Sequence, residues 1–285
     1  MRSDPDVQRI VSRYRLGLPK LPSLGRSGEL LGRGVGSSLE FQEHREYRPG
    51  DDLRHLDWAA YGRSDALMLR LFREEISPKT QILLDASRSM TAGGGAKSNV
   101  ARQLATVFAL LSAGLGGSPQ VIPLDGSRPP RAFGMSELDR LSSLTFETAV
   151  SIADLATDGG IPPGKRAVRL VISDFLFPHD PERLVRRLAG DVTALWMIQT
   201  LAAFEADPLP LGGRKLIDAE TGDESNLVLD RRTIAAYRER LTTLQQGLSR
   251  QCRRFHATFV TVVADRGLEA VCREELCAAE LLRPA

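Results

Sequence analysis

The stretch TQILLDASRS, residues 80–89, decides the fold of this chain. Its apolar half predicts a short buried strand ending at Asp85, and the apolar periodicity of residues 97–115 predicts a long helix after it. The same order recurs along the chain. We predict further strands at residues 120–124, 167–173, 192–198 and 257–263, and further helices at residues 136–144, 148–156, 181–188, 231–248 and 268–277.

Alternating strands and helices indicate a mostly parallel sheet covered on both faces, which is a doubly wound α/β fold. The alternation is interrupted at about residues 208–230, where two short apolar runs flank a turn and predict a β-hairpin inserted at the sheet edge. The pattern begins just after Ser77-Pro78. We therefore divide the chain into an N-terminal extension, residues 1–78, and an α/β domain, residues 79–285.

The composition fits a folded chain of 285 residues with 42% hydrophobic and 26% charged residues. The net charge is +2, and residues 1–78 hold 13 basic and 12 acidic side chains, which leaves 25 and 24 for the rest. Because neither part is a basic arm, we predict no nucleic-acid partner. No apolar run approaches the roughly 18 residues of a membrane span, and no secretory signal is visible, so we expect a cytoplasmic protein.

Three cysteines, Cys252, Cys272 and Cys277, are an odd number for a disulfide framework. No histidine stands beside them at the spacing of zinc ligands. We interpret them as reduced thiols of the core.

The candidate site lies where the predicted strands end, because ligands of open α/β sheets gather beyond the carboxyl ends of strands. Asp85, Ser87 and Ser89 form a D-x-S-x-S motif, Asp174 ends another strand, and Thr148 opens a predicted helix. Carboxylate and hydroxyl oxygens are hard ligands of the kind that Mg²⁺ prefers. The alternative is that Asp85 and Ser87 only cap the following loop and helix.

Two resemblances extend this interpretation. The segment DASRSM at residues 85–90, followed by Asp174, resembles the metal-ion-dependent adhesion site of von Willebrand factor A domains. An ordered series before it is similar to the signature of the bacterial domain-of-unknown-function family 58: GVG at 34–36, EF at 40–41, REYRPGDD at 45–52, Arg54, DW at 57–58, Arg63 and FREE at 72–75. The segment DAETG at 218–222 resembles a late hairpin of the same family.

The resemblance implies a von Willebrand factor A-like domain that holds Mg²⁺ or Mn²⁺. It maps Asp85, Ser87, Ser89 and Asp174 onto the adhesion-site ligands. For the remaining ligand, Thr148 competes with Thr145, because the usual Gly-Thr is here Glu147-Thr148. Members of the family are commonly encoded beside a MoxR-type AAA+ ATPase and are thought to act with it as adaptors or chaperone components. Many carry transmembrane helices before the signature, and this chain shows none.

The signature segment alternates opposite charges around a Pro-Gly turn. We predict that Arg45, Asp52 and Asp57 are structural and hold this segment in place by ion pairs, with Trp58 and Phe41 buried beneath. The alternative is an exposed docking surface.

Enzyme classes fit the same residues poorly. A haloacid-dehalogenase-type phosphatase needs a carboxylate where Ser87 stands. The segment GGGAKS at 93–98 suggests a phosphate-binding loop, but that motif requires glycine at the positions of Thr91 and Ala96. We therefore predict a non-enzymatic, metal-dependent protein-binding adaptor that works with a MoxR-type ATPase or with a client protein that supplies an acidic ligand. The alternative is a Mg²⁺-dependent hydrolase that uses the same site.

Overall fold

The structure is a computed structural model that describes residues 1–18, 40–48, 56–73, 79–209, 212–217 and 224–285. The chain forms two compact units, of which the first comprises Met1–Pro19 with Pro78–Ala285 and the second comprises Lys20–Ser77. The extension predicted for residues 1–78 is therefore divided between the two units.

The described strands are, in chain order, β1 (Tyr14–Leu16), β2 (Glu40–Glu46), β3 (Met68–Arg73), β4 (Lys79–Asp85), β5 (Ser118–Leu124), β6 (Ala167–Ser173), β7 (Val192–Leu201), β8 (Gly212–Ile217), β9 (Glu224–Leu229), β10 (Thr258–Val263) and β11 (Leu282–Pro284). The described α-helices are α1 (Pro5–Arg13), α2 (Trp58–Ser64), α3 (Ala96–Gly114), α4 (Ile152–Thr157), α5 (Pro181–Leu188), α6 (Ala203–Ala206), α7 (Arg231–Arg254) and α8 (Gly267–Val271). Short 3₁₀ turns lie at Arg88–Thr91, Met135–Ser143 and Ala264–Arg266, and a π-helical turn at Cys272–Leu276 follows α8.

The first unit is built on a five-stranded parallel sheet in the order β10-β7-β6-β4-β5. Successive residues of β4 point to opposite faces of the sheet, since Ile82 and Leu84 belong to one core cluster and Leu83 to the other. The first cluster packs against α1, α3 and α8, and the second against α4, α5 and α7. A parallel sheet with helices on both faces is compatible with the predicted doubly wound fold.

The buried strands explain why the pattern of the sequence was informative. Every residue of β6 is buried, and β4 is buried after Lys79, so these strands appear in the sequence as mostly apolar runs, with Gln81 and Arg169 among the buried polar exceptions. Residues 167–173 and 181–188 adopt the predicted strand and helix residue for residue, and α3 occupies almost the predicted range. Cys252 and Cys272 are buried free thiols, and burial raises the pKa of each to about 12.

Several predicted elements differ from the structure. The helix predicted at 148–156 begins only at Ile152, because Ser151 and Asp154 form a capping box that fixes its start. In place of the helix predicted at residues 136–144, Met135–Ser143 forms 3₁₀ turns, and the last predicted helix passes into the π-helical turn. The hairpin predicted at about 208–230 is present as β8 and β9. It forms its own two-stranded sheet instead of extending the main one, and residues 218–223 lie outside the described residues.

The amino-terminal residues contribute to the first unit in a way that the sequence pattern did not indicate. Strand β1 pairs antiparallel with β11, so the two ends of the chain meet in a small separate sheet. Helix α1 buries Val7 and Ile10 in the core cluster that contains α3.

The second unit pairs β2 with β3 antiparallel and carries α2. Asp57 is buried and caps α2, because its carboxylate accepts hydrogen bonds from the N–H groups of Ala59 and Ala60 at 3.0 Å each. Trp58 is 66% exposed, so the prediction that it is buried is wrong. It opens α2, and its ring lies edge-to-face against exposed Tyr61, 6.4 Å away. Asp52 and the Phe41 side chain lie outside the description.

Replacing Asp57 with Ala should lower the free energy of unfolding of the second unit by about 1 kcal/mol, because α2 loses its cap. Hydrogen exchange of the Ala59 and Ala60 amides should accelerate in the same variant, whereas Asp57→Asn, which keeps a capping oxygen, should retain most of the protection. Equal losses in both variants would show that the charge of Asp57 matters and not its capping bond.

Candidate functional site

The candidate site lies at the carboxyl ends of β4 and β6, which are neighbours in the sheet. Asp85 is the last residue of β4, and Asp174 directly follows β6. Both side chains are buried, with exposed fractions of 1% and 0%. The parallel pairing therefore brings two carboxylates together in a place that water barely reaches.

The Asp85 carboxylate is held at both oxygens. Its Oδ1 accepts the backbone N–H of Ser87 at 2.9 Å, and its Oδ2 accepts the hydroxyl of Ser173 at 2.5 Å. Because the Ser173 oxygen accepts the N–H of Phe175 at 3.0 Å, its proton is left for Asp85. Burial, and then the charge of Asp174, raise the pKa of Asp85 to about 6, while the hydrogen bonds from Ser173 and Ser87 oppose this shift.

The two serines of the motif lie side by side. Their Oγ atoms are 3.0 Å apart and share a hydrogen bond, with Ser87 buried and Ser89 half-buried. Adjacent ligands of an octahedral Mg²⁺ ion are also about 3 Å apart, because each lies about 2.1 Å from the metal. The spacing of the serine hydroxyls therefore fits two neighbouring positions of such an ion.

Thr148 joins this group through the backbone, not from a helix as predicted. It forms a parallel bridge with Ser87, in which Thr148 N–H donates to the Ala86 carbonyl at 3.3 Å and Arg88 N–H donates to the Thr148 carbonyl at 3.0 Å. Gly126 lies close to the Thr148 side chain, because a Cβ at position 126 would stand 3.1 Å from Thr148 Oγ1. The φ of +87° at Gly126 also favours glycine. Thr145 is exposed. The bridge thus places Thr148 beside the motif.

Asp174 accepts one hydrogen bond at each carboxylate oxygen and one at its backbone carbonyl. Its Oδ1 accepts the N–H of Leu176 at 3.1 Å, its Oδ2 accepts the Lys97 ammonium at 3.0 Å, and its backbone carbonyl accepts the Gln199 amide at 2.9 Å. These bonds fix the carboxylate at the edge of the site.

Lys97 links Asp174 to a further carboxylate. Its ammonium is 0% exposed and also contacts Glu205 Oε1 at 2.7 Å. The other oxygen of Glu205 accepts the N–H of Ala202 at 2.8 Å, and its carbonyl accepts the Tyr237 hydroxyl at 2.8 Å. Burial raises the pKa of Glu205, and the charge of Lys97 counteracts that rise.

Sequence reasoning missed Lys97, Glu205 and Ser173. A pattern for Lys97 was available, because it shares a helix face with Ala101 and Leu104 at spacings of four and seven residues, and that face is buried. Ser173 ends an apolar strand next to β4, which places its hydroxyl at the same edge. Glu205 stands on a helix of only four residues and had no periodic pattern to reveal it.

The glycine segment before α3 does not act as a phosphate cradle in this structure. Gly93, Gly94 and Gly95 all have positive φ, and a Cβ at Gly93 would lie 2.8 Å from the Ala202 Cβ. Lys97, which a phosphate-binding loop would direct at phosphate, is engaged by two carboxylates instead. The glycines allow the loop to pass close to Ala202.

A divalent cation at this edge would find a mixed set of oxygens. Among the described residues, no three His, Cys, Asp or Glu side chains are grouped to hold a metal. A cation here would therefore depend on serine and threonine hydroxyls, on the two buried aspartates and on water, a donor set that suits Mg²⁺ or Mn²⁺. The residues fit such an ion.

Together, the fold and this edge define an α/β protein with an acidic, hydroxyl-rich cluster at the carboxyl end of a parallel sheet. The chain belongs to the family described as "Protein of unknown function DUF58", whose match covers residues 43–247. In the described part of the chain, no helix combines the length and apolar character required to cross a bilayer.

The chain is similar to uncharacterized proteins of mycobacteria. It is 28% identical over 207 residues to "Uncharacterized protein Rv1480" of Mycobacterium tuberculosis and to "Uncharacterized protein Mb1516" of Mycobacterium bovis. Each match covers 68% of this chain and 65% of the relative, so the chain spans less than two thirds of the length of these relatives.

Two solved structures are weakly similar to this chain. One is a conserved hypothetical protein BatB from Bacteroides thetaiotaomicron, with a TM-score of 0.38 and 13% identity over 71% of this chain and 98% of the other. The other is an aerotolerance-related membrane protein from Bacteroides fragilis, with a TM-score of 0.38 and 13% identity over 69% and 98% of the two chains. These scores are too low to support an argument about fold or function.

The raised pKa of Asp85 predicts how stability depends on pH in chelator-treated protein. In the folded state Asp85 keeps its proton up to about pH 6, whereas in the unfolded chain it loses the proton near the ordinary aspartate pKa of 3.8. The folded state therefore binds more protons in this window, and stability falls as pH rises from about 4 to about 6. The loss attributable to Asp85 should be on the order of 2 kcal/mol.

Urea denaturation across this pH range checks the expectation. The Asp85→Asn variant cannot lose a proton at this position, so its stability should fall less over the same interval. Parallel curves for the two proteins would contradict the assigned shift.

Proposed function

We propose that this protein is a non-enzymatic module that captures a protein partner through a divalent cation. Asp85, Ser87, Ser89, Thr148 and Asp174 would hold Mg²⁺ or Mn²⁺, as in a von Willebrand factor A-like adhesion site. The observation that carries the proposal is the 3.0 Å pair of serine hydroxyls beside two buried carboxylates on neighbouring strand ends.

The charges of the cluster support a dication. The Lys97 ammonium lies between Asp174 and Glu205 and offsets one negative charge, which leaves two when Asp85, Asp174 and Glu205 are all ionised. Burial, and then the charge of Asp174, raise the pKa of Asp85, so the cluster holds both negative charges at an energetic cost. A single Mg²⁺ would neutralise both.

A bound cation would also need ligands from outside the chain. Two or three hydroxyls and two aspartates, acting directly or through water, leave positions of the octahedron to exchangeable water. Ser89 and Thr148 are only partly buried, so the metal would lie near the surface. A carboxylate from another protein suits such a position, because it is a hard anionic oxygen ligand.

By family resemblance, the partner is a MoxR-type AAA+ ATPase or a client protein, met in the cytoplasm in chaperone-like assembly or maturation. The proposal needs neither a nucleic-acid partner nor a membrane span. A Mg²⁺-dependent hydrolase using the same edge remains the alternative, although the hydroxyls and aspartates that it would use as nucleophile or base are the proposed ligands. Phosphoester turnover that disappears in Asp85→Asn would favour that alternative.

Calorimetry with Mg²⁺ or Mn²⁺ tests the ligand set. The wild-type protein should bind one ion weakly, and Thr148→Ala should reduce the affinity at least about tenfold, because one ligand is replaced by water. The matched control is Thr145→Ala, which removes the same hydroxyl from an exposed neighbour and should bind like wild type. If Thr145→Ala weakens binding and Thr148→Ala does not, the threonine that binds the metal is Thr145.

Partner capture should depend on the metal. With a purified MoxR-type ATPase or a client, chelator should weaken the complex, and Ser87→Ala should do the same while the fold, followed by circular dichroism, persists. Changing the partner's acidic residue to its amide should have an equivalent effect. A complex that is indifferent to chelator, to Ser87→Ala and to Ser89→Ala would show that the partner docks elsewhere.

A further inference from the structure

The Lys97 side chain places a positive charge beside Asp174, one of the proposed metal ligands. A positive charge is not expected at that position in a metal-binding module. It follows the glycine segment as the second residue of α3 and is completely buried. A buried ammonium is costly unless carboxylates compensate it. Here Asp174 at 3.0 Å and Glu205 at 2.7 Å provide that compensation.

The consequence for Asp174 is direct. One of its oxygens is occupied by the ammonium and the other by the Leu176 N–H. A dication that uses Asp174, directly or through water, must share this carboxylate with Lys97 and must tolerate a positive charge beside it. The ammonium and the metal therefore oppose one another at Asp174.

Glu205 offers the ammonium a second anchor. Its contact with Lys97 is the shorter of the two, and the carboxylate is fixed by the Ala202 N–H. Tyr237 holds the backbone of the same residue through the Glu205 carbonyl. A lysine side chain that lies between two fixed carboxylates can transfer its interaction from one to the other by small rotations of its long stem.

We propose that Lys97 is a tethered cation that competes with the divalent metal for Asp174, and that Glu205 retains its ammonium when the metal binds. This inference rests on the metal site of the proposed function and adds its regulation. Without metal, Lys97 compensates Asp174 and keeps the edge of the sheet intact. When the metal is bound, the positive charge of Lys97 keeps the affinity of the site for the divalent ion low. The ion is therefore exchanged rather than held permanently.

The decisive variant is Lys97→Met together with Glu205→Gln. It removes a buried positive and a buried negative charge at once, so the net charge of the pair stays at zero and both replacements keep similar volumes. If Lys97 only supports the fold, this double variant should bind metal like wild type. If Lys97 competes with the metal, the double variant should bind Mn²⁺ more tightly, on the order of tenfold.

The single variant Glu205→Gln should change the affinity in the opposite direction. It removes the second anchor and leaves the ammonium to Asp174 alone, so Mn²⁺ binding should be weaker than in wild type. Lys79→Met is the control for loss of a lysine charge, because Lys79 is exposed at the opposite end of β4. It should leave the affinity unchanged.

Mn²⁺ affinity is measured by titration calorimetry and by the electron paramagnetic resonance signal of the free ion, with circular dichroism to check folding. Tighter binding in the double variant and weaker binding in Glu205→Gln support the inference; if the double variant does not fold, wild-type affinity in Glu205→Gln overturns it. Equal binding by wild type and all folded variants overturns it and leaves the proposed metal site intact.

Binding by the double variant but not by wild type means that Lys97 has replaced the metal, which supports the competition and contradicts the proposed function. No binding by any of them overturns both.

Discussion

The structure of the site depends on the meeting of two buried carboxylates at the ends of neighbouring parallel strands. Asp85 and Asp174 are brought together by the register of β4 and β6, and the energetic cost of this proximity determines what surrounds them. Ser173 and the Ser87 N–H stabilise the first carboxylate, and Lys97 with the Leu176 N–H stabilises the second. The hydroxyl pair, the bridge to Thr148 and the buried lysine all lie around this point.

The main elements were predictable because their patterns are local. Strand β6 is buried on both faces, so its sequence is apolar apart from Arg169 and the final Ser173, and α5 has a capping aspartate, a proline and a basic last turn that mark its limits. The D-x-S-x-S motif was predictable for the same reason, since its three polar residues stand at alternate positions of one short segment. The start of α4 was not predicted correctly, because the apolar periodicity did not distinguish Thr148 from the true cap, Ser151.

What the sequence did not reveal depends on contacts between distant residues. Lys97 and Glu205 are 108 positions apart, and nothing in either segment indicates that α6 would bring its carboxylate to the first turn of α3. Trp58 was expected in a core because of its size, yet the helix that it opens leaves the ring beside Tyr61 on the exposed side. Burial of a charged side chain and exposure of an aromatic one are both decided by tertiary packing, which propensity does not encode.

We propose that the oxygens of Asp85, Ser87, Ser89, Thr148 and Asp174 form one cation site. Anomalous diffraction from crystals soaked in Mn²⁺, recorded on both sides of the manganese absorption edge, tests it most directly. We expect a single anomalous peak within about 2.2 Å of the Ser87 and Ser89 hydroxyl oxygens, next to the two aspartates. A strong peak elsewhere on the protein, with none at this edge of the sheet, would contradict it.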